Sequence, residues 1–251
     1  MTSTPESRSL PADSASVTDY DSIAEGYTAE NENSLLNAYY ERPAMLELAG
    51  EVVGRRILDA GCGAGPLFAE LRQRGAIVTG IDASAGMLEL ARRRLGHDAD
   101  LRVADLAEPL PFPDDAFDDI VASLVLHYLR DWAPTLAELR RVLRPGGRLI
   151  ASVEHPFAIH LSERAAGQKN SYFDTRNRVE EWTMGGQTAT PSFWDRPLHA
   201  MTDAFIAAGF RIEAISEPPA VPAARELFPE VFEQVTGSSF LAFLFFVLRP
   251  E

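Results

Sequence analysis

Short apolar or β-branched runs recur through the middle of the chain, at 56–61 (RILDAG), 77–82 (IVTGID), 101–105 (LRVAD), 117–123 (FDDIVAS) and 148–154 (RLIASVE). The segments 67–74, 85–95 and 132–143 between them place apolar residues at helical spacing. Strands that alternate with amphipathic helices indicate βαβ units, and so a parallel sheet covered on both faces. A helix at 198–208, ended by Gly209, precedes two further strands at 211–216 and 240–248. The last run is rich in Phe and Leu without polar alternation, as expected of a strand buried on both faces. The pattern predicts an α/β, doubly wound fold.

Three segments stand outside this rhythm. Residues 1–18 are rich in Ser, Thr, Pro and Asp with almost nothing to bury, which predicts a disordered tail. Residues 19–50 are aromatic, acidic and mostly helical in pattern with a break near 31–33, and are expected to form a helical cap over a site. Residues 155–196 carry Tyr172, Phe173, Trp182 and Trp194 without clear periodicity, interrupted by Gly185-Gly186, and read as a lid-like insertion after the fifth strand. The main domain then runs from 51 to 251.

Composition narrows the partners. Of 251 residues, 37 are acidic and 23 basic, a formal charge of -14 that repels phosphate backbones and anionic lipid. Nucleic-acid and membrane-surface roles are therefore disfavoured. A single cysteine, Cys62, excludes an intrachain disulfide and a structural zinc site. The longest apolar run, 240–248, is about half the roughly 20 residues of a spanning helix. The N-terminus lacks a secretory pattern, and a cytoplasmic location is expected by elimination.

The first predicted strand runs into ILDAGCGAGPL, a strand, glycine cluster and helix in succession. Gly61, Gly63 and Gly65 let backbone pass close to a ligand that the N-terminal N–H groups of the helix face. Asp82, about 20 residues on at the end of the second strand, suits the hydroxyls of a ribose. Ser84 is the candidate N-cap of the next helix, which leaves Asp82 free for that role. The third glycine of the dinucleotide pattern is replaced by Pro66, and Asp59 precedes the turn. A carboxylate there disfavours pyrophosphate and suits a cation such as an amino-acid ammonium or a sulfonium.

These residues resemble the class I S-adenosylmethionine-dependent methyltransferases, and the likeness extends through nearly the whole chain from Tyr20. It rests on ILDAGCGAG, Asp82, VADLAEPLPF, FDDIVASLVLHYL and LRRVLRPGGRLIAS in order. The YDxxAxxY-like start, ERPAMLEL and the HPF after the fifth strand resemble the ubiquinone/menaquinone-biosynthesis-like small-molecule branch. The resemblance implies a Rossmann-like sheet of seven mostly parallel strands with an antiparallel last strand. It also implies S-adenosyl-L-methionine as cofactor and a small-molecule acceptor. The loop Asp59, Ala60, Gly61, Cys62 and Gly63 would bind the cofactor, with Asp82, Ala83 and Met87 at the ribose side and Asp105 and Leu106 flanking adenine. Tyr27, Arg42 and Ser123 would complete that site, Tyr27 at the methionine moiety and Arg42 at the carboxylate.

His155 is the first candidate general base, because it leaves the sheet at the carboxyl edge and Pro156 fixes its direction. His127, after the fourth strand, is the second. Glu154 should point to the face opposite His155. Tyr20, Trp182, Trp194 and Arg196 are candidate acceptor-binding residues. No metal-ligand spacing is present, which disfavours a magnesium-dependent mechanism. An acceptor that arrives ionised, or attacks through carbon, needs no base. A cofactor-binding protein or cyclase on the same fold stays open, an NAD(P)-dependent oxidoreductase is the weaker rival, and a homodimer is compatible with the sequence.

Overall fold

A computed structural model describes residues 20–233 and 241–251. The expected tail and the first residue of the last strand, Phe240, lie outside the described residues. The sheet strands are β1 (Arg56–Ala60), β2 (Ile77–Asp82), β3 (Asp100–Val103), β4 (Phe117–Ala122), β5 (Leu143–Glu154), β10 (Phe210–Ser216) and β11 (Phe243–Pro250). Their order across the sheet is β10-β11-β5-β4-β1-β2-β3, with β11 antiparallel to both neighbours. The expected seven-stranded, doubly wound sheet is therefore present.

Alternation along the strands sorts the core into two layers, because successive side chains leave opposite faces. Leu58, Ile120, Leu149 and Phe246 pack with Trp132 and Phe205 on one face. Their neighbours Ile57, Val121, Ile150 and Phe245 pack with Met45 and Phe68 on the other. The covering helices are α3 (Pro66–Gln73), α4 (Ala85–Leu95), α5 (Ala133–Val142) and α7 (Leu198–Ala207). After Phe117, β4 carries two buried acids, which basic residues satisfy at the edge away from the turn: Arg56 and Arg144 bind Asp118, and Arg55 and Arg148 bind Asp119. β1 pairs with β2 on one side and β4 on the other, so the strand order reverses there, where α/β sheets open a ligand crevice.

The N-terminal segment is helical with one irregular turn. α1 (Ala24–Glu32) is followed by a π turn, Asn37–Glu41, and α2 (Arg42–Ala49). Pro43 in the first turn of α2 has no N–H, and the Tyr39 carbonyl four residues earlier instead accepts from Val221 N–H at 2.9 Å. The widened turn buries Glu41.

The segment that lacked periodicity is ordered. Helix α6 (Pro156–Ala165) leads into a folded arm, with β6 (Arg176–Val179) pairing β9 (Ser192–Asp195) and β7 (Trp182–Met184) pairing β8 (Gln187–Ala189) about the Gly185-Gly186 turn. Two short helices, α8 (Pro222–Leu227) and α9 (Pro229–Phe232), fill the stretch before the last strand and were not expected. Among the described residues no helix is long and apolar enough to cross a membrane.

Candidate functional site

The turn after β1 is tied to β2 by its backbone: Gly61 and Cys62 N–H both donate to the Ile81 carbonyl, at 2.8 and 2.9 Å. Gly61 has φ +78°, and a Cβ there would lie 2.5 Å from Val125 Cγ2, so a side chain is excluded twice over. A Cβ on Gly63 would meet no atom within 4 Å, which leaves the space before the loop open. α3 starts directly behind with no side-chain cap: its first residue, Pro66, has no N–H, the Phe68 N–H turns toward Asp59, and the Ala69 N–H donates to the Gly65 carbonyl at 3.0 Å.

Asp82 closes the loop from the other side. Its carboxylate accepts from Gly63 N–H at 2.8 Å and from Ser84 N–H at 2.9 Å, and each oxygen keeps a lone pair for a further donor. Ser84 caps α4 by accepting from Met87 N–H, as the sequence suggested, and Asp21 binds Ser84 and Gly86 N–H, which ties the cap segment to the same helix end. Asp105 turns its own loop by accepting from Ala107 N–H.

These elements enclose a cavity of about 370 Å³, within the range of small-molecule sites. Of the expected cofactor residues, Gly61, Cys62, Gly63, Asp82, Ala83, Met87, Asp105, Leu106 and Ser123 line it from the sheet side, and Tyr27 and Arg42 from the cap. Asp59 and Ala60 do not reach the wall; they lie buried beneath it. Tyr20 and Trp194 line the cavity from the acceptor set. Trp182 stands one ring behind, stacked on Tyr27 at 5.9 Å and 11°. Arg196 points elsewhere, over the Trp132 ring and onto the Arg130 carbonyl.

Neither histidine reaches this wall. His155 is the N-cap of α6, where its Nδ1 accepts from Phe157 N–H and its Nε2 meets Glu217 at 2.6 Å, in a separate groove with Tyr172 and Phe173. A residue directly before an N1 proline is a cap position, and the cap turns the ring away from the crevice. His127 lies in a 3₁₀ turn, Leu126–Tyr128, whose successive side chains point about 120° apart. Tyr128 takes the cavity face, and His127 is buried against Phe193. Burial, reinforced by the Arg178 charge, pushes His127 down to about 3. The alternation expected of Glu154 and His155 holds, but Glu154 is on the Tyr128 side, where its charge acts on the phenol.

Sequence reasoning missed Glu41 and Tyr128. Glu41 lines the cavity, accepts from Ser123 Oγ at 2.8 Å and Ser152 Oγ at 2.6 Å, and is raised above the usual carboxylate range by burial. The Tyr128 hydroxyl bonds that of Tyr20, and burial holds both phenols well above their ordinary values. Among the described residues no group of three or more His, Cys, Asp or Glu could hold a metal ion.

The arm reaches across to the cap. Trp182 meets the Tyr20 ring edge-on at 6.5 Å as well as stacking on Tyr27, and the hairpin tip lies on α1 where a Cβ on Gly26 would be 2.7 Å from the Met184 backbone. Gly26→Val must displace the tip, and overpacking of this kind costs about 1–3 kcal/mol. The expected result is a lower unfolding midpoint and faster proteolysis between Trp182 and Ala189. Wild-type proteolysis in the variant would mean that the tip gives way without cost.

The chain matches the methyltransferase domain family over residues 58–151. It is 38% identical to a demethylmenaquinone methyltransferase of Clavibacter sepedonicus, over 52% of this chain and 54% of that protein. It is 41% identical to a malonyl-[acyl-carrier protein] O-methyltransferase of Serratia marcescens, over 43% and 42%. The chain thus spans about half the length of these curated relatives. An S-adenosylmethionine-dependent methyltransferase of Mesorhizobium loti superposes with a TM-score of 0.64 at 27% identity, covering 87% of this chain and 99% of that one. With the strand order, the glycine turn and the acids at the strand ends, these similarities place the chain in the class I S-adenosylmethionine-dependent methyltransferases.

Proposed function

We propose that the chain transfers a methyl group from S-adenosylmethionine to a small-molecule acceptor. The observation that carries this reading is the cavity itself, in which the glycine turn, Asp82 and Asp105 at the carboxyl ends of parallel strands face an aromatic cap. The donor set fits the cofactor: Asp82 retains acceptor capacity for ribose hydroxyls, Asp105 and Leu106 border the next stretch of wall, and Arg42 offers a guanidinium to a carboxylate. When bound, the cofactor supplies an electrophilic methyl group on a sulfonium.

The contribution of the chain is alignment and exclusion of water. Tyr20, Tyr27, Tyr128 and Trp194 wall the cavity with rings, and Trp182 backs them, so that an acceptor is held dry and in a fixed orientation. The buried phenols stay protonated and donate hydrogen bonds rather than take protons. With both histidines away from the wall, this arrangement favours an acceptor that arrives ionised or attacks through carbon.

Calorimetry tests the cofactor half: S-adenosylhomocysteine should bind and nicotinamide dinucleotides should not. Asp82→Ala should weaken binding by about 1.5–3 kcal/mol, the scale of hydrogen bonds involving a charged group. An unchanged affinity in the folded variant would place the ribose contact elsewhere. A metabolite screen with labelled methyl donor tests the transfer, and tight dinucleotide binding without S-adenosylhomocysteine binding would end the reading.

A further inference from the structure

Asp59 is 1% exposed under the glycine turn, and the mechanism above gives it no task. Its register partners are Gly80 of β2 and Val121 of β4, which offer no side-chain donor. α3 lends only the Phe68 backbone N–H, and neither Asp59 oxygen has a hydrogen bond of ordinary geometry. The charged groups that face it are both acids, Asp82 at the end of β2 and Glu41 from the π turn. The neighbouring Cys62 is kept as a thiol by burial and by the charges of Asp59 and Asp82, and Arg42 acts on Glu41 but is not among the groups acting on Asp59.

A buried carboxylate without a counter-ion is unfavourable, and like charges beside it make it more so. Burial first, then Asp82 and Glu41, push Asp59 up to about 8. Two of these acids, Asp82 and Glu41, line the cavity, so positive charge placed there offsets their repulsion. We propose that Asp59 is a neutral carboxylic acid in the ligand-free chain and ionises when a cationic ligand fills the cavity, which makes it a charge-specificity residue favouring the sulfonium donor over the neutral thioether product. The proton passes to buffer; no bond in the ligand forms or breaks. The inference rests on the cavity being the S-adenosylmethionine site. Donor and product share the amino-acid and adenosine groups and differ by the methyl group and the charge on sulfur, so the excess proton release with the donor reports that charge.

Calorimetric titration of the chain near neutral pH, in buffers of different ionisation enthalpy, counts the protons. The expected release is on the order of one per S-adenosylmethionine and distinctly less per S-adenosylhomocysteine. Below about pH 8 the acid must give up its proton for the donor to bind, so the donor-to-product affinity ratio should rise several-fold with pH and level off above that value. Asp59→Asn should bind the donor with no such release and with a flat ratio. Should that variant misfold, infrared difference spectra of the wild-type chain remain, in which the donor should remove a protonated-carboxyl band. Absence of proton release in the wild-type chain, equal release in Asp59→Asn, or a band unchanged by the donor would overturn the proposal. Failure of either ligand to bind would appear before any proton is counted, and would refute the cofactor reading instead.

Discussion

Truncating Arg178 to Ala is expected to cost about 3–5 kcal/mol of stability, the scale of breaking a buried ion pair from one side. Its guanidinium donates to Asp195 at 2.9 Å, to Glu154 at 2.6 Å and to Glu180, and lies over the Phe193 ring at 4.7 Å. The carboxylates come from β5, β9 and the strand connection after β6, so this one side chain fastens the arm to the sheet. Removing it leaves Glu154, already pushed up to about 7 by burial, without its closest cation. Arg176 still reaches Asp195 and Glu163 but makes no ion pair with Glu154. Arg178→Lys should recover only part of the loss, because a point charge cannot span three acceptors. Denaturation midpoints and hydrogen exchange along β6 and β9 separate global unfolding from local release of the arm. A loss below about 1 kcal/mol with unchanged exchange would show that the cluster does not hold the arm.

The parts legible in the sequence are those whose burial is recorded in their own periodicity. Strands such as β1 and β4 carry consecutive apolar residues because both faces are covered, and α4 and α5 show their buried stripe at Met87, Leu88 and Ala91 and at Leu136 and Leu139. The arm was not legible because its strands are three or four residues long and are stabilised by partners distant in sequence, as when Arg178 joins Glu154. α8 and α9 are too short to show a helical repeat. β5 begins five residues before the apolar run, since its Pro145-Gly146-Gly147 stretch pairs only loosely around a register shift.

At the site, spacing located the loop and its acids but not the rotation of single side chains. His127 and Tyr128 are adjacent in a turn where one step in sequence is a third of a revolution, and the phenol, not the imidazole, faces the cavity. The HP pair after β5 was a capping signal as well as a chain-direction signal, and capping decides where His155 points. Glu41 was hidden by the π turn, although Pro43 is the local cue that backbone pairing changes there.

Asp59→Asn should stabilise the ligand-free chain, increasingly as pH rises. The folded-state value near 8 lies above the ordinary 3.8, so between those limits the folded chain holds a proton that the unfolded chain gives up, and stability falls as pH rises through that window. Glu154, raised to about 7, adds to the same slope. His127, depressed to about 3, acts on the other side: the unfolded chain binds the proton first, and stability falls as pH drops below about 6.5. An amide has the shape of the neutral acid and cannot ionise, so the variant should match the wild-type chain near pH 4 and exceed it by about 2–4 kcal/mol near pH 7, after relaxation around the site. Urea denaturation across pH measures the difference. Parallel profiles for the two proteins would mean that Asp59 finds a partner in solution, and the source of the pH dependence would then lie with Glu154.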